Sequence, residues 1–339
     1  MVRTVIVGLG NIAQTRHLPA AIKNRRLDVV GIVDRNPKRL KSVGNRFGIR
    51  NRWLVKDIGS ITSVDAAIVC TPPMDHYASV DACLENGWHV LCEKPFTMTV
   101  REARALIRKA ESKERILSVV SNFKFSRSFR TLRDARIGEI RNIYGFQCSN
   151  LKRRLPAWYE ELPFGLFYDE SPHFLYLFQE LAGDLEYVSS TAFVTDRNTP
   201  LQVSASLKGS VPISFFMDFD APLSEWYLVV FGSKAVAIVD IFRDVCTVLR
   251  DDESHLAHHV IRTSLSASLQ HYVGSAKTAA NVAFKRQHFG NDVMFEKWAA
   301  SIAAGVADES LSAHRALHSV ELTHRIIDGA MRCDIERSS

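Results

Sequence analysis

The sequence predicts an α/β protein in which a doubly wound parallel sheet is followed by a second α/β domain on a large, mostly antiparallel sheet. Two observations carry that expectation. Strand and helix patterns alternate through residues 1–121, and longer period-two strand patterns take over in residues 122–339. Residues 4–7 are an apolar, β-branched run of the kind that is covered on both faces. It runs through Gly8-Leu9-Gly10-Asn11-Ile12-Ala13 into a helical pattern over residues 12–24, then into a strand over residues 29–33 that ends at Asp34. Helices at 37–47, 76–86 (capped by Gly87) and 101–113 alternate with strands at 66–70, 90–92 and 117–120. Strands follow at 140–148, 187–195, 203–207, 213–219, 227–231 and 235–241, with Gly209-Ser210 and Gly232-Ser233 as hairpin signals. Helices fill 254–289, 292–304 and 311–332.

Composition narrows the class of function. The chain of 339 residues is long enough for two domains, and 46% hydrophobic with 24% charged residues excludes a disordered linker. No apolar run reaches the roughly 18 residues of a membrane span. The amino end enters the first strand without the features of a secretory signal, so the expected location is the cytoplasm. Lys and Arg number 43 against 37 Asp and Glu, a net +6 that suits an anionic ligand without indicating nucleic acid. The six cysteines form no Cys-x-x-Cys pair and no zinc spacing, so reduced, mostly buried thiols and no metal are expected.

The glycine turn joins a strand to a helix, which is the context that a dinucleotide needs. Gly8 permits the tight turn, Gly10 lets the backbone approach a pyrophosphate, and Asn11 and Ile12 open the helix whose amino end faces the anion. Asp34 ends the second strand, where a carboxylate accepts hydrogen bonds from an adenosine ribose, and this favours NAD. Arg35, Lys38 and Arg39 follow, and a guanidinium there suits the extra phosphate of NADP. Cys70-Thr71-Pro72-Pro73, with His76 nearby, and Glu93-Lys94-Pro95 each follow a strand at the carboxyl edge, where ligands bind in open α/β sheets. A cis bond at Lys94-Pro95 would aim the lysine into the crevice; a solvated surface lysine is the competing reading. Asp169 and His173 share one face if their segment is helical, as a base and its orienting carboxylate. Helix capping, with Pro172 in a first turn, is the alternative.

Together and in this order, these motifs resemble the glucose-fructose oxidoreductase, inositol dehydrogenase and MocA family. The resemblance implies an amino-terminal Rossmann domain and a carboxyl-terminal α/β domain with an open sheet that builds homodimers or homotetramers. It implies hydride transfer between NAD or NADP and a secondary hydroxyl or keto group of a sugar, cyclitol or activated sugar. Lys94 then resembles the lysine that contacts nicotinamide and substrate, Asp169 the substrate-binding carboxylate, and His173 the general base. Asn122 and Lys124 match a family Asn-x-Arg-Phe segment, which implies cofactor contact for Asn122 and substrate contact for Lys124, with lysine in place of arginine. The run Pro163-Phe164-Gly165, Ser171 and Tyr176 depart from the family pattern, which leaves the substrate open. Lys152-Arg153-Arg154 and aromatics including Tyr168 suit a phosphate or nucleotide on an activated sugar; a charged loop and core aromatics are the other reading. Small residues such as Ser264, Ser268 and Ala276 within 256–289 suit packing against a partner subunit. Two competing readings are a glycosidase that retains its NAD, as some members of that family do, and, from another class, a non-catalytic NAD-sensing regulator, against which the Lys94, Asp169 and His173 set argues.

Overall fold

A computed structural model describes residues 1–150, 155–195, 198–284 and 289–334. The chain divides into two compact units, Met1–Asn122 with Gly290–Glu321 and Phe123–Phe289 with Leu322–Ser339.

The first unit holds β1 (Val2–Val7), β2 (Leu27–Asp34), β3 (Arg52–Leu54), β4 (Ala66–Val69), β5 (His89–Cys92) and β6 (Leu117–Val119). They form a parallel sheet in the order β3-β2-β1-β4-β5-β6. The order reverses between β1 and β4, which makes their carboxyl ends the switch point. Val5, Ile6, Val7 and Ala66–Val69 are fully buried, as strands without a polar break require. The connecting helices are α1 (Leu18–Lys23), α2 (Pro37–Phe47), α3 (His76–Glu85) and α4 (Val100–Ser112). Asn36 caps α2 by accepting from the N–H groups of Lys38 and Arg39, and Thr99 with Glu102 forms a capping box on α4. Two features depart from the sequence reading. The expected helix over 12–24 begins with a π-helical turn, Ala13–His17, before α1. Strand β3 went unanticipated because three half-buried edge residues show no periodicity.

The second unit contains α5 (Arg127–Asp134), β7 (Ile140–Cys148), α6 (Leu166–Ala182), β8 (Glu186–Val194), β9 (Pro200–Lys208), β10 (Pro212–Asp218), β11 (Glu225–Gly232), β12 (Ala235–Asp240), β13 (Val245–Arg250), α7 (Ala257–Ala283) and, near the carboxyl end, β14 (Ala330–Asp334). Its eight-stranded sheet runs β13-β12-β11-β7-β10-β9-β8-β14, antiparallel except for β7·β10 and β8·β14. Ile213, Phe215 and Met217 alternate inward along β10, as do Trp226, Leu228 and Val230 along β11. Helix α6 covers this face through Phe174 and Phe178, whose rings lie 5.7 and 5.8 Å from Phe215. Gly145 permits that approach, since a Cβ there would stand 2.7 Å from the Phe174 ring. Helix α7 lies on β13, where the Gln270 amide serves both the N–H and the C=O of Val248. Its outer residues Ile261, Leu265, Leu269 and Tyr272 are 58–73% exposed.

Helices α8 (Asn291–Ala304) and α9 (Ala313–Asp328) change the domain division expected at residue 121. Residues 290–321 belong to the first unit because α8 buries Met294, Phe295, Trp298 and Ala299 against α1 and β1, while Ala313 and Val320 join the core around Leu106. The helix expected over 311–332 stops at Asp328. Gly329 follows, where any Cβ would meet the Tyr187 hydroxyl at 2.3 Å, and the chain then pairs with β8 as β14. Replacing Trp298, which is 0% exposed, with Ala should cost about 3–5 kcal/mol in urea unfolding of the full chain. A loss below about 1 kcal/mol would contradict its place in the first unit's core.

Candidate functional site

At the switch point, Gly8 holds φ +87°, and a Cβ on it would lie 2.6 Å from the Thr71 nitrogen. Only glycine fits both the conformation and the approach to the backbone after β4. Asp34 secures the turn: Oδ2 accepts from the Leu9 N–H at 2.7 Å, Oδ1 from the Asn36 N–H at 2.8 Å, and Arg39 stands 3.3 Å away. Arg35 is exposed and lies 3.6 Å from Asp75. Gly10 has nothing within 4 Å of an added Cβ, so space for a ligand lies beside its backbone. Asn11 is exposed and Ile12 half-buried at the start of the helical segment.

The loops after β4 and β5 meet around buried histidines. His76 lies inside, with Nδ1 2.7 Å from the Pro95 carbonyl and Nε2 2.9 Å from the Thr71 carbonyl. Burial pushes its pKa down against the raising effect of those carbonyls and of Glu93, and the ring stands between the two loops with a nitrogen toward each. Cys70 and Cys92 are buried thiols with raised pKa values, first through burial and then through the Glu93 charge. The Thr71 hydroxyl is buried without a hydrogen-bond partner. Lys94 follows β5, half-buried, and its bond to Pro95 is cis. Glu93 is buried and accepts from His17 Nε2 at 2.5 Å through one oxygen and from the Lys94 N–H at 2.9 Å through the other. Burial raises the Glu93 pKa, but the His17 hydrogen bond and charge and the Lys94 charge outweigh it and hold the carboxyl below its ordinary range. Asn122 is buried at the end of this unit.

In the second unit, Gly165 opens α6 with φ +53°, and the following residues turn almost entirely inward. From Leu166 to Gln179, Asp169 and His173 are the two that are not buried. One helical turn apart, they form the open stripe of an otherwise core helix. Pro172 lies inside α6, past the first turn that the sequence reading gave it, while Asp169 occupies that first turn. His173 Nδ1 lies 2.9 Å from the Tyr176 hydroxyl, which also accepts from the Phe123 N–H at 3.3 Å. Phe123 and Trp226 pack edge-on against the imidazole at 5.1 and 5.2 Å. Tyr176 thus supports the ring at its Nδ1 edge.

Two residues expected to touch substrate turn inward. Lys124 is 1% exposed, its ammonium 3.8 Å from Glu180 and 5.7 Å over the Tyr176 ring, so it supports Tyr176 from within. Tyr168 is 1% exposed with its hydroxyl 3.5 Å from His324 Nε2. Arg153, with Lys152 and Arg154, lies outside the described residues. His17 is the residue that sequence reasoning missed. A lone histidine in a helical pattern carries no signal, and the π-helical turn that directs it inward has none in sequence. Among the described residues, no helix is long and apolar enough to cross a membrane, and no cluster of His, Cys, Asp and Glu is placed to hold a metal ion.

The family model described as an oxidoreductase family with an NAD-binding Rossmann fold matches residues 2–121. That match places the likeness to the Gfo/Idh/MocA family in the first third of the chain. It is 26% identical over 159 residues to a D-glucoside 3-dehydrogenase from Escherichia coli, covering 46% of this chain and 45% of that protein. It is 27% identical over 195 residues to an inositol 2-dehydrogenase from Rhizobium meliloti, covering 56% and 58%. The chain thus spans about half the length of the curated relatives it matches. Among solved structures, a UDP-N-acetylglucosamine 3-dehydrogenase from Acidithiobacillus ferrooxidans superposes with TM-score 0.75 at 19% identity, over 97% of both chains. A 3-ketoreductase from Actinomadura kijaniata, solved in complex with NADP, gives TM-score 0.74 at 20% identity over 99% of both. These two likenesses establish the fold over nearly the whole chain.

The residues present fit the dinucleotide of such a family: Gly10 leaves room beside its backbone, and the unpartnered Thr71 hydroxyl waits at the same sheet edge. Two glycine variants separate the turn's structural and binding roles. Gly8→Ala should lower stability by about 1–3 kcal/mol in chemical denaturation. Gly10→Ala should leave stability within about 0.5 kcal/mol and weaken NADH binding at least about tenfold by titration calorimetry. Undiminished binding by Gly10→Ala would contradict the assignment.

Proposed function

We propose that the protein is an NAD(P)-dependent oxidoreductase acting on a secondary hydroxyl or keto group of a sugar, cyclitol or activated sugar. The observation that carries the reading is the Gly8 turn, open at Gly10, at the switch point of a domain that matches an NAD-binding family. The names of the relatives, two sugar 3-dehydrogenases and an inositol 2-dehydrogenase, support a secondary ring carbon as the reacting centre.

In this reading Gly8, Gly10, Asn11 and Ile12 hold the diphosphate. Asp34 and Arg35 lie at the adenosine ribose, with the Arg35 guanidinium able to take the extra phosphate of NADP. Cys70, Thr71, Pro72, His76, Glu93, Lys94 and Asn122 form the wall toward the nicotinamide, Cys70 and His76 as buried support. The cofactor, when bound, accepts or returns the hydride. His173 exchanges the hydroxyl proton through Nε2, since Nδ1 is held at Tyr176. Asp169 orients the substrate from the neighbouring turn, and the Lys94 ammonium stabilises negative charge developing on the carbinol oxygen. Tyr144, Phe193 and Phe231, exposed on strands of the second unit's sheet, support assembly as a homodimer or homotetramer.

The test is a nicotinamide-linked screen of free, phosphorylated and nucleotide-activated sugars. On the best substrate, His173→Ala should lower kcat at least about 100-fold while dinucleotide affinity changes less than about twofold. Lys94→Ala should lower kcat and weaken NADH binding together. Wild-type turnover by both variants would contradict the assignments, and sugar hydrolysis without accumulating reduced nicotinamide would point to a cofactor-retaining glycosidase.

A further inference from the structure

His17 and Glu93 stand apart from the other buried polar residues at the carboxyl edge of the first unit's sheet. His17 is 1% exposed and Glu93 7%, and their side chains meet at 2.5 Å although 76 residues separate them in sequence. An ionised carboxylate only accepts, so His17 Nε2 must carry the proton in this bond. The second oxygen of Glu93 takes the main-chain N–H of Lys94. One carboxylate therefore ties the π-helical turn that leaves the glycine loop to the peptide that carries Lys94. His17 Nδ1 remains buried without a partner, and His17 touches Phe295 with ring centroids 5.6 Å apart. A pair kept for stability alone would not leave a ring nitrogen orphaned, because a buried polar atom without a partner is unfavourable. π-Helical turns are found disproportionately at functional sites, and this one delivers the histidine to Glu93.

We propose that His17 and Glu93 form a buried strut that fixes the Lys94 peptide and sets where its ammonium stands at the nicotinamide end of the dinucleotide. The proposal rests on the dinucleotide-dependent reading above and adds two positioning residues to it. Because the strut acts through Lys94, its loss is felt by a ligand that carries nicotinamide and not by one that ends at the second ribose. For the same reason it has nothing further to act on once Lys94 is gone.

The experiment is calorimetric titration of the full-length protein with NADH and with ADP-ribose, for wild type, His17→Phe, His17→Gln, Glu93→Gln, Lys94→Ala and the double variant His17→Phe/Lys94→Ala. His17→Phe and Glu93→Gln should each weaken NADH about tenfold or more while changing ADP-ribose less than about twofold. His17→Gln, which keeps an N–H for Glu93, should recover most of the loss, and the double variant should bind NADH no worse than Lys94→Ala. Equal losses on both ligands, or additive losses in the double variant, would overturn the strut while leaving the dinucleotide reading intact. If the wild type bound neither ligand, that reading would fall and the strut with it. Should His17→Phe fail to fold, Glu93→Gln and His17→Gln carry the comparison, since both keep the shape of the pair.

Discussion

The close passage of the Gly8 turn over the backbone of Cys70 and Thr71 is the constraint on which the first unit's site depends. A turn this tight at the end of β1 requires a residue without a side chain and at positive φ. Once it is made, the Leu9 N–H points at Asp34, the next residues enter a helical segment, and the loop after β4 is fixed against the loop after β1. His76 then stands between that second loop and the one after β5, and Glu93 joins the β5 loop back to the π-helical turn through His17. Three loops from three strands become one assembly because each meets the next through a buried side chain. Lys94 stands on the last of them.

The second unit solves a different problem. Helix α6 must cover a sheet with aromatic residues and still present chemistry, and it does so by sparing two positions one turn apart. His173 packs edge-on against Phe123 and Trp226 and is held at Nδ1 by Tyr176, so the ring has little freedom to rotate. A neutral phenol at that nitrogen orients the ring without adding a negative charge beside it, which a carboxylate would do. Lys124 and Glu180 lie behind Tyr176, an arrangement that accounts for a lysine buried where a ligand-binding one was expected.

Much of this was legible in the sequence, for physical reasons that particular residues show. The uninterrupted apolar run before Gly8 and the turn itself are local signals, so β1 and the loop after it could be read directly, as could the cis Lys94-Pro95 bond as a structural possibility. Asp169 and His173 could be paired by spacing alone because helical periodicity is local. The strut from His17 to Glu93 could not, since nothing local marks a π-helical turn or names a partner 76 residues away. The return of residues 290–321 to the first unit was hidden for the same reason: the apolar face of α8 declares that it will be buried, but not against which sheet. The edge strands β3 and β14 were too short to show alternation.

The most direct measurement is a crystal structure of the protein grown with NADH. The account predicts diphosphate density against the Gly10 backbone at the carboxyl ends of β1 and β4, with the nicotinamide directed toward the loop that bears Lys94. Density for the dinucleotide elsewhere on the molecule, or a diphosphate kept away from Gly10 by the turn, would contradict it.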